Sequence, residues 1–133
     1  APLIDYTRSN IFSFLVSTVE EFTPDYIIGS SMGGYVAFIF GALYNIPVLA
    51  FNPALHSRSF NPKFPKFVTK HIPDEFTVVI GDKDTIIDGK RTLNWLKDHI
   101  KDSYVKWNVK HIETMGHKVP LTVFADMYNK IVK

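Results

Sequence analysis

The chain has 133 residues, of which 46% are hydrophobic and 14% are aromatic, enough apolar material for one compact domain with a core. Its formal net charge of +2 is too small to indicate nucleic-acid binding without a cluster of basic residues. Cysteine is absent, which excludes disulfide bonds, thiolate chemistry and Cys-ligated metals. No apolar run reaches the roughly 18 residues of a membrane-spanning helix, and no basic-then-apolar leader opens the sequence. We therefore expect a cytoplasmic protein with neither a nucleic-acid nor a membrane partner.

The first half of the chain alternates between strand and helix patterns. "PLIDY" is typical of a short strand, and a helix follows it, with Thr7 and Ser9 as candidate caps. The apolar residues at helical spacing in that helix are Ile11, Leu15, Val19 and Phe22. "YIIGS" then predicts a buried strand, residues 33–45 a helix that is covered on nearly all sides, and "PVLAFN" a second buried strand.

The second half resumes the alternation after an interruption. Residues 54–74 are rich in proline, and we expect an irregular, lid-like segment with one helical turn. "FTVVIGD" predicts a strand, "GKRTLNWLKDHIKDS" a helix that buries Leu93, Leu96 and Ile100, and "VKWNVKHIE" a strand near a sheet edge. The last helix, "PLTVFADMYNKIVK", has Pro120 in its first turn.

This alternation predicts the α/β class, a single domain over residues 1–133 with a mostly parallel sheet in a three-layer α/β/α sandwich. In such sheets, functional sites form in the loops that leave the carboxyl ends of the strands. The residues in those loops are therefore the candidates for function.

The loop after the first buried strand carries the pattern G-x-S-x-G, from Gly29 to Gly33 with Ser31 at its centre. In this motif a sharp strand-to-helix turn exposes the serine hydroxyl, and the flanking residues are small because strand and helix nearly touch. The N–H of Met32 would then point at a developing oxyanion from a helix N-terminus. The alternative is a glycine-rich turn that serves only the packing of helix on strand.

A serine hydroxyl becomes a nucleophile when a histidine takes its proton and a carboxylate orients that histidine. Asp82, Asp84 and Asp88 follow the strand that ends near Gly81, and His117 follows the last strand. Asp82 could instead cap a turn and Asp88 could begin a helix, so we choose Asp84 as the acid. The remaining histidines, which we expect to be structural, are His56, His71, His99 and His111.

Four segments, "IIGSSMGGY", "FNPAL", "GDKDTIID" and "MGH", together resemble the α/β-hydrolase superfamily, and more closely its small YqiA-like esterase branch. The resemblance implies a serine hydrolase that acts on esters or thioesters, with Ser31 as nucleophile, Asp84 as acid and His117 as base. It also implies that no metal or other cofactor takes part. Ser30 and Asn52 are candidate substrate-binding residues beside the nucleophile, although Asn52 could equally be structural.

The sequence departs from the superfamily at its beginning. Members normally start with further strands and an "HG" loop that supplies the second oxyanion N–H, and nothing similar precedes "PLIDY". We therefore expect a fragment that lacks the first strands, or a reduced version of the fold. Its exposed sheet edge would favour pairing with a second copy as a homodimer.

Two other functions remain alternatives. A protein of this fold can keep its pocket and bind a small molecule, in signalling for example, without catalysing a reaction. A Rossmann-type nucleotide-binding protein is disfavoured, because "GSSMGG" lacks the G-x-G-x-x-G spacing.

Overall fold

The computed structural model describes residues 4–70, 72–99 and 106–132. Helices and strands alternate along these residues, as the sequence predicts. The elements are α1 (Ile11–Phe22), β1 (Ile27–Ser30), α2 (Met32–Tyr44), β2 (Val48–Phe51), a 3₁₀ helix (Lys66–Lys70), β3 (Glu75–Gly81), α3 (Gly89–His99), β4 (Lys106–Ile112) and α4 (Leu121–Ile131).

The described strands form one parallel sheet in the order β1-β2-β3-β4. In the register, the last residue of β1 is aligned across the sheet in a row that consists of Ser30, Phe51, Val79 and Lys110. Parallel neighbours need a crossover connection, which α2 provides between β1 and β2 and α3 between β3 and β4. The carboxyl ends of all four strands therefore lie along one edge of the sheet.

The two faces of the sheet bury different helices. Val48 and Ala50 of β2 pack in a core with residues of α1, α2 and α3, whereas Leu49 and Phe51 pack in a second core with residues of α4. Successive side chains of a strand point to opposite faces, so both faces of β2 are covered. This arrangement confirms the predicted three-layer α/β/α architecture.

The larger core is held together by aromatic side chains from three elements. The ring of Phe38 on α2 lies 5.2 Å from that of Phe76 on β3 and 5.4 Å from that of Trp95 on α3, between ring centroids. Both pairs meet edge to face, the geometry that aromatic quadrupoles favour. Helix α2 is buried along most of its length, as its nearly continuous apolar sequence predicts.

The start of the chain differs from the prediction. Ile4, Asp5 and Tyr6 form no strand, and the carboxylate of Asp5 accepts hydrogen bonds from the N–H and the hydroxyl of Thr7. Thr7 is therefore engaged in a local turn and does not cap α1, which Asn10 precedes without a side-chain cap hydrogen bond. Ser9 lies one residue too early for that position. The remainder of "PLIDY" that was predicted as strand lies outside the described residues.

Four smaller features differ from the prediction or concern residues that are not described. Strand β1 was expected to be buried, but its residues are half-buried or exposed, because it lies at an edge of the described sheet. Phe22, at the end of α1, is 71% exposed. Pro120 occupies the N-cap position of α4 and not its first turn. Ile100, predicted to be buried, is not among the described residues.

We expect Phe76→Ala to lower the free energy of unfolding by about 3–5 kcal/mol, because it removes a fully buried ring from contact with Phe38 and Trp107. Urea denaturation followed by circular dichroism measures the change. The control is Phe22→Ala, which removes an exposed ring and should change stability by no more than about 0.5 kcal/mol. Equal effects of the two substitutions would contradict this description of the core.

Candidate active site

Ser31 lies at the junction between β1 and α2 in a strained backbone conformation. Its φ is 56° and its ψ is −119°, a combination that residues with a side chain rarely adopt. Three backbone hydrogen bonds hold it there: its N–H donates to the carbonyl of Phe51, and its own carbonyl accepts from the N–H groups of Tyr35 and Ala54, all at 3.0–3.1 Å. The surrounding structure thus stabilises a sharp turn at this serine.

The residues that flank Ser31 are small because strand and helix touch. A Cβ atom on Gly29 would lie 2.1 Å from the carbonyl oxygen of Gly33, far inside van der Waals contact. Any side chain at Gly29 would push α2 away from β1. The close approach that the sequence motif requires is therefore present.

The N-terminus of α2 faces this junction. The first helical hydrogen bond of α2 is donated by Tyr35, so the N–H groups of Met32, Gly33 and Gly34 precede it and have no partner in the part of the chain that is described. Such amides and the helix dipole favour negative charge. An anion beside Ser31 would find donors here.

His117 and Asp84 form a hydrogen-bonded pair at the same edge of the sheet. The Nδ1 atom of His117 lies 2.9 Å from Oδ2 of Asp84. The other oxygen of Asp84 accepts hydrogen bonds from the backbone N–H groups of Ile86 and Ile87, at 2.8 and 2.9 Å. The carboxyl group is fully buried, whereas the His117 side chain is 25% exposed.

This arrangement sets the tautomer of the His117 ring. An ionised carboxylate can only accept hydrogen bonds, so Nδ1 of a neutral imidazole carries the proton toward Asp84. The other ring nitrogen, Nε2, then keeps a free electron pair. A histidine held in this way is able to accept a proton.

The other two candidate acids have different partners. Asp82 is 2.9 Å from Nδ1 of His111 in an exposed pair, a contact that the sequence did not indicate. Asp88 accepts the N–H of Lys90 at the start of α3, as its predicted capping position requires. Of the three aspartates, Asp84 is therefore the one in contact with His117.

The remaining histidines lie apart from this pair. His99 stacks on the ring of Trp95 and is bonded to its carbonyl oxygen, at the exposed end of α3. Burial and the positive charge of Arg91 lower the pKa of His56, which favours the neutral ring. His71 is not among the described residues.

Asn52 joins the site's strands to one another. Its side-chain NH₂ group donates to the carbonyls of Gly116 and His117, at 2.9 and 3.1 Å, and its carbonyl oxygen accepts the N–H of Gly81 at 2.7 Å. The residue is 3% exposed. Its amide group thus connects the end of β3 to the loop that carries His117, and the expected contact with substrate stays a prediction.

Two cavities open around the end of β1. Ser31 and Met32 line one of about 540 Å³, and His117 lines another of about 500 Å³ on the opposite side. Ile28, Gly29 and Ser30 line both. Within the described residues, no hydrogen bond joins the Ser31 hydroxyl to His117.

The described residues contain neither a metal-binding cluster nor a membrane-spanning helix. No group of three or more His, Asp and Glu side chains is placed to hold a metal ion. No helix in these segments combines the length and the apolar character that a bilayer crossing demands.

Comparison with known proteins gave one family and a set of solved structures. The model of an uncharacterised protein family, UPF0227, matches residues 5–70, a stretch that includes Ser31 but neither Asp84 nor His117. This is the YqiA-like family, so the resemblance predicted from the sequence is confirmed over this part of the chain. No curated protein matches the sequence.

The solved structures are similar in fold at low sequence identity. SOBER1 from Arabidopsis thaliana is 18% identical with a TM-score of 0.55, over 90% of this chain and 59% of its own. A serine hydrolase homologue from Coxiella burnetii is 12% identical with a TM-score of 0.58, over 92% of this chain and 55% of its own. An S-formylglutathione hydrolase from Agrobacterium tumefaciens is 14% identical with a TM-score of 0.62, over 90% of this chain and 52% of its own.

This chain therefore spans between about half and three fifths of the length of the structures it matches. Those structures share its parallel sheet and its helical layers, and the family match lies on the segment around Ser31. The chain has the α/β-hydrolase fold, and the UPF0227 match over residues 5–70 supports its resemblance to the superfamily of that name.

Proposed function

We propose that the chain is a serine hydrolase that cleaves a small acyl ester or thioester with Ser31, Asp84 and His117. The observation that carries the proposal is the hydrogen bond between His117 and the buried carboxylate of Asp84, which lies at the same sheet edge as the strained Ser31. Hydrolases among the proteins of similar fold support the same class of reaction. The substrate is the one partner that the mechanism requires, and no cofactor enters it.

The reaction begins when Nε2 of His117 removes the proton from the Ser31 hydroxyl. The serine oxygen attacks the carbonyl carbon of the substrate, and the π electron pair moves to the carbonyl oxygen, where the N–H of Met32 stabilises the negative charge. Collapse of this intermediate expels the alcohol or thiol, which takes the proton from His117. Water, activated by the same histidine, then hydrolyses the acyl-enzyme.

The proposal requires His117 to approach Ser31 when substrate is bound. Catalytic hydrogen bonds are often long without substrate and shorten in the reactive complex. Ser30 lies between the two cavities that contain the serine and the histidine. A shift of the loop around His117 toward Ser31 would bring the two side chains together.

The segment between β2 and β3 bears on the size of the substrate. We propose that residues 54–74 act as a short lid-like segment of a single domain and leave the pocket open and shallow. Its first part contacts α2, because the guanidinium of Arg58 lies 3.9 Å above the ring of Tyr35. The same guanidinium donates hydrogen bonds to the carbonyls of Ala54 and Leu55 within the segment. An open site suits short acyl groups.

A second candidate function is a small-molecule-binding protein without catalysis. The observation that favours it is the lack of a hydrogen bond between Ser31 and His117 within the described residues. In that case ligands would stabilise the protein against heat, while no covalent intermediate would form at Ser31.

We expect a fluorophosphonate to label the wild-type chain covalently and to leave Ser31→Ala unlabelled, because only an activated serine attacks this electrophile. Intact-mass spectrometry measures the adduct, and peptide mapping distinguishes Ser31 from Ser30. The matched control is Ser17→Ala on the exposed side of α1, which should be labelled like the wild type. Labelling of Ser31→Ala at the wild-type rate would contradict the proposal, and a folded wild type without adduct would favour the binding protein.

We expect Asp84→Asn to lower kcat for a short-chain ester by about 10⁴-fold. The amide would donate to Nδ1 of His117, which moves the ring proton to Nε2 and prevents this atom from accepting the serine proton. Steady-state hydrolysis of p-nitrophenyl acetate measures the loss, and the melting temperature shows whether the variant is folded. The control is Asp82→Asn, because Asp82 contacts His111 instead; an equal loss in both variants would contradict the choice of Asp84.

A further inference from the structure

Tyr6 lies beside the proposed nucleophile, although nothing in the sequence singles it out. A Cβ atom on Gly33 would lie 3.2 Å from the Tyr6 hydroxyl oxygen. Gly33 is the second residue of α2, two positions after Ser31. Tyr6, Ser31 and Met32 also line the same cavity of about 540 Å³. The hydroxyl therefore lies at the N-terminus of α2, where an oxyanion would form.

The Tyr6 hydroxyl is protonated and has no hydrogen-bond partner among the described residues. The ring packs against the larger core, and burial raises the pKa of the phenol, so the group remains a hydrogen-bond donor at neutral pH. Within the described residues, the hydroxyl has no hydrogen-bond partner. Partly buried tyrosine hydroxyls usually find a partner, and a bound substrate oxygen would provide one.

We propose that Tyr6 is a catalytic residue whose hydroxyl donates the second hydrogen bond to the oxyanion, opposite the N–H of Met32. This inference rests on the proposed hydrolase function. As the Ser31 oxygen bonds to the carbonyl carbon, the π electron pair passes to the carbonyl oxygen, and the serine proton passes to Nε2 of His117. Tyr6 keeps its own proton and shares it with the negative oxygen through a hydrogen bond. When the intermediate collapses, the electron pair returns to carbon and the leaving group departs.

The absence of a side chain at Gly33 is part of this arrangement. A Cβ atom placed on Gly33 would have one heavy atom of the described residues within 4 Å, apart from the backbone of α2 and the two adjacent residues. That atom is the Tyr6 hydroxyl oxygen. At 3.2 Å the contact is tight, so a methyl group there would displace the hydroxyl by a few tenths of an ångström. Helical alanine is otherwise favoured over glycine. Gly33→Ala thus moves the Tyr6 hydroxyl without removing it.

We expect Tyr6→Phe to lower kcat for p-nitrophenyl acetate and the rate of fluorophosphonate labelling by about 10²-fold each, with little change in KM. The ring and its packing are retained, so the melting temperature should stay close to that of the wild type. The matched control is Tyr44→Phe: Tyr44 lies at the opposite end of α2 and its hydroxyl donates to Glu20. This control should keep both rates.

A double-mutant cycle separates catalysis from structure. Gly33→Ala should lower the same rates in the wild-type background and have no further effect in the Tyr6→Phe background, because no hydroxyl is left to displace. Effects of the two substitutions that multiply would overturn the inference. Should Tyr6→Phe fail to fold, loss of kcat in a stable Gly33→Ala variant still supports the inference, and an unchanged kcat there overturns it.

The outcomes also distinguish this inference from the proposed function. If Ser31→Ala is labelled like the wild type, the hydrolase proposal fails and the role of Tyr6 fails with it. If labelling requires Ser31 but Tyr6→Phe reacts at the wild-type rate, only the role of Tyr6 is wrong.

Discussion

The contact between β1 and α2 is the constraint on which the rest of the site depends. The two elements approach so closely that Gly29 has no space for a side chain, and the chain passes between them through the positive φ of Ser31. That conformation costs free energy of order 1–3 kcal/mol. Two hydrogen bonds to the segment around the end of β2 hold the Ser31 backbone in this conformation. The Ser31 N–H donates to the carbonyl of Phe51, and the Ser31 carbonyl accepts from the N–H of Ala54. The serine is thus positioned by the sheet and the loop after β2, and only secondarily by its own turn.

Hydrogen bonds from Asn52 connect the end of β2, beside Ser31, to the ends of the other strands. Asn52 follows β2 directly and binds the N–H of Gly81 and the carbonyl of His117 through one side chain. Because it is buried, loss of these hydrogen bonds would leave polar backbone groups without partners. The same network keeps Asp84, three residues after β3, within reach of His117. A single asparagine therefore joins three strand ends, which gives it a structural role beside the site.

The carboxylates of Asp84 and Asp82, two residues apart in the sequence, have different environments. The buried carboxylate of Asp84 is compensated by two backbone N–H groups and the His117 ring, whereas Asp82 and His111 form an exposed pair. Exposed contacts of this kind contribute little to stability. The proposed oxyanion donors lie at the N-terminus of α2, whereas His117 lies in the segment after β4. Proton transfer and charge stabilisation are thereby assigned to different segments of the chain around Ser31.

The sequence by itself determined the alternation of strands and helices, the layered α/β architecture and the positions of Ser31, Asp84 and His117 at strand ends, because periodicity and glycine spacing are local properties. It did not determine the turn around Asp5, the exposure of β1 or the pairing of Asp82 with His111. Those features depend on which strand lies at an edge and on side chains distant in sequence. Tyr6 is the clearest case: no motif marks it, and only the tertiary structure brings its hydroxyl close to Gly33. Contacts between segments far apart in the chain are decided by tertiary packing, which local sequence patterns do not encode.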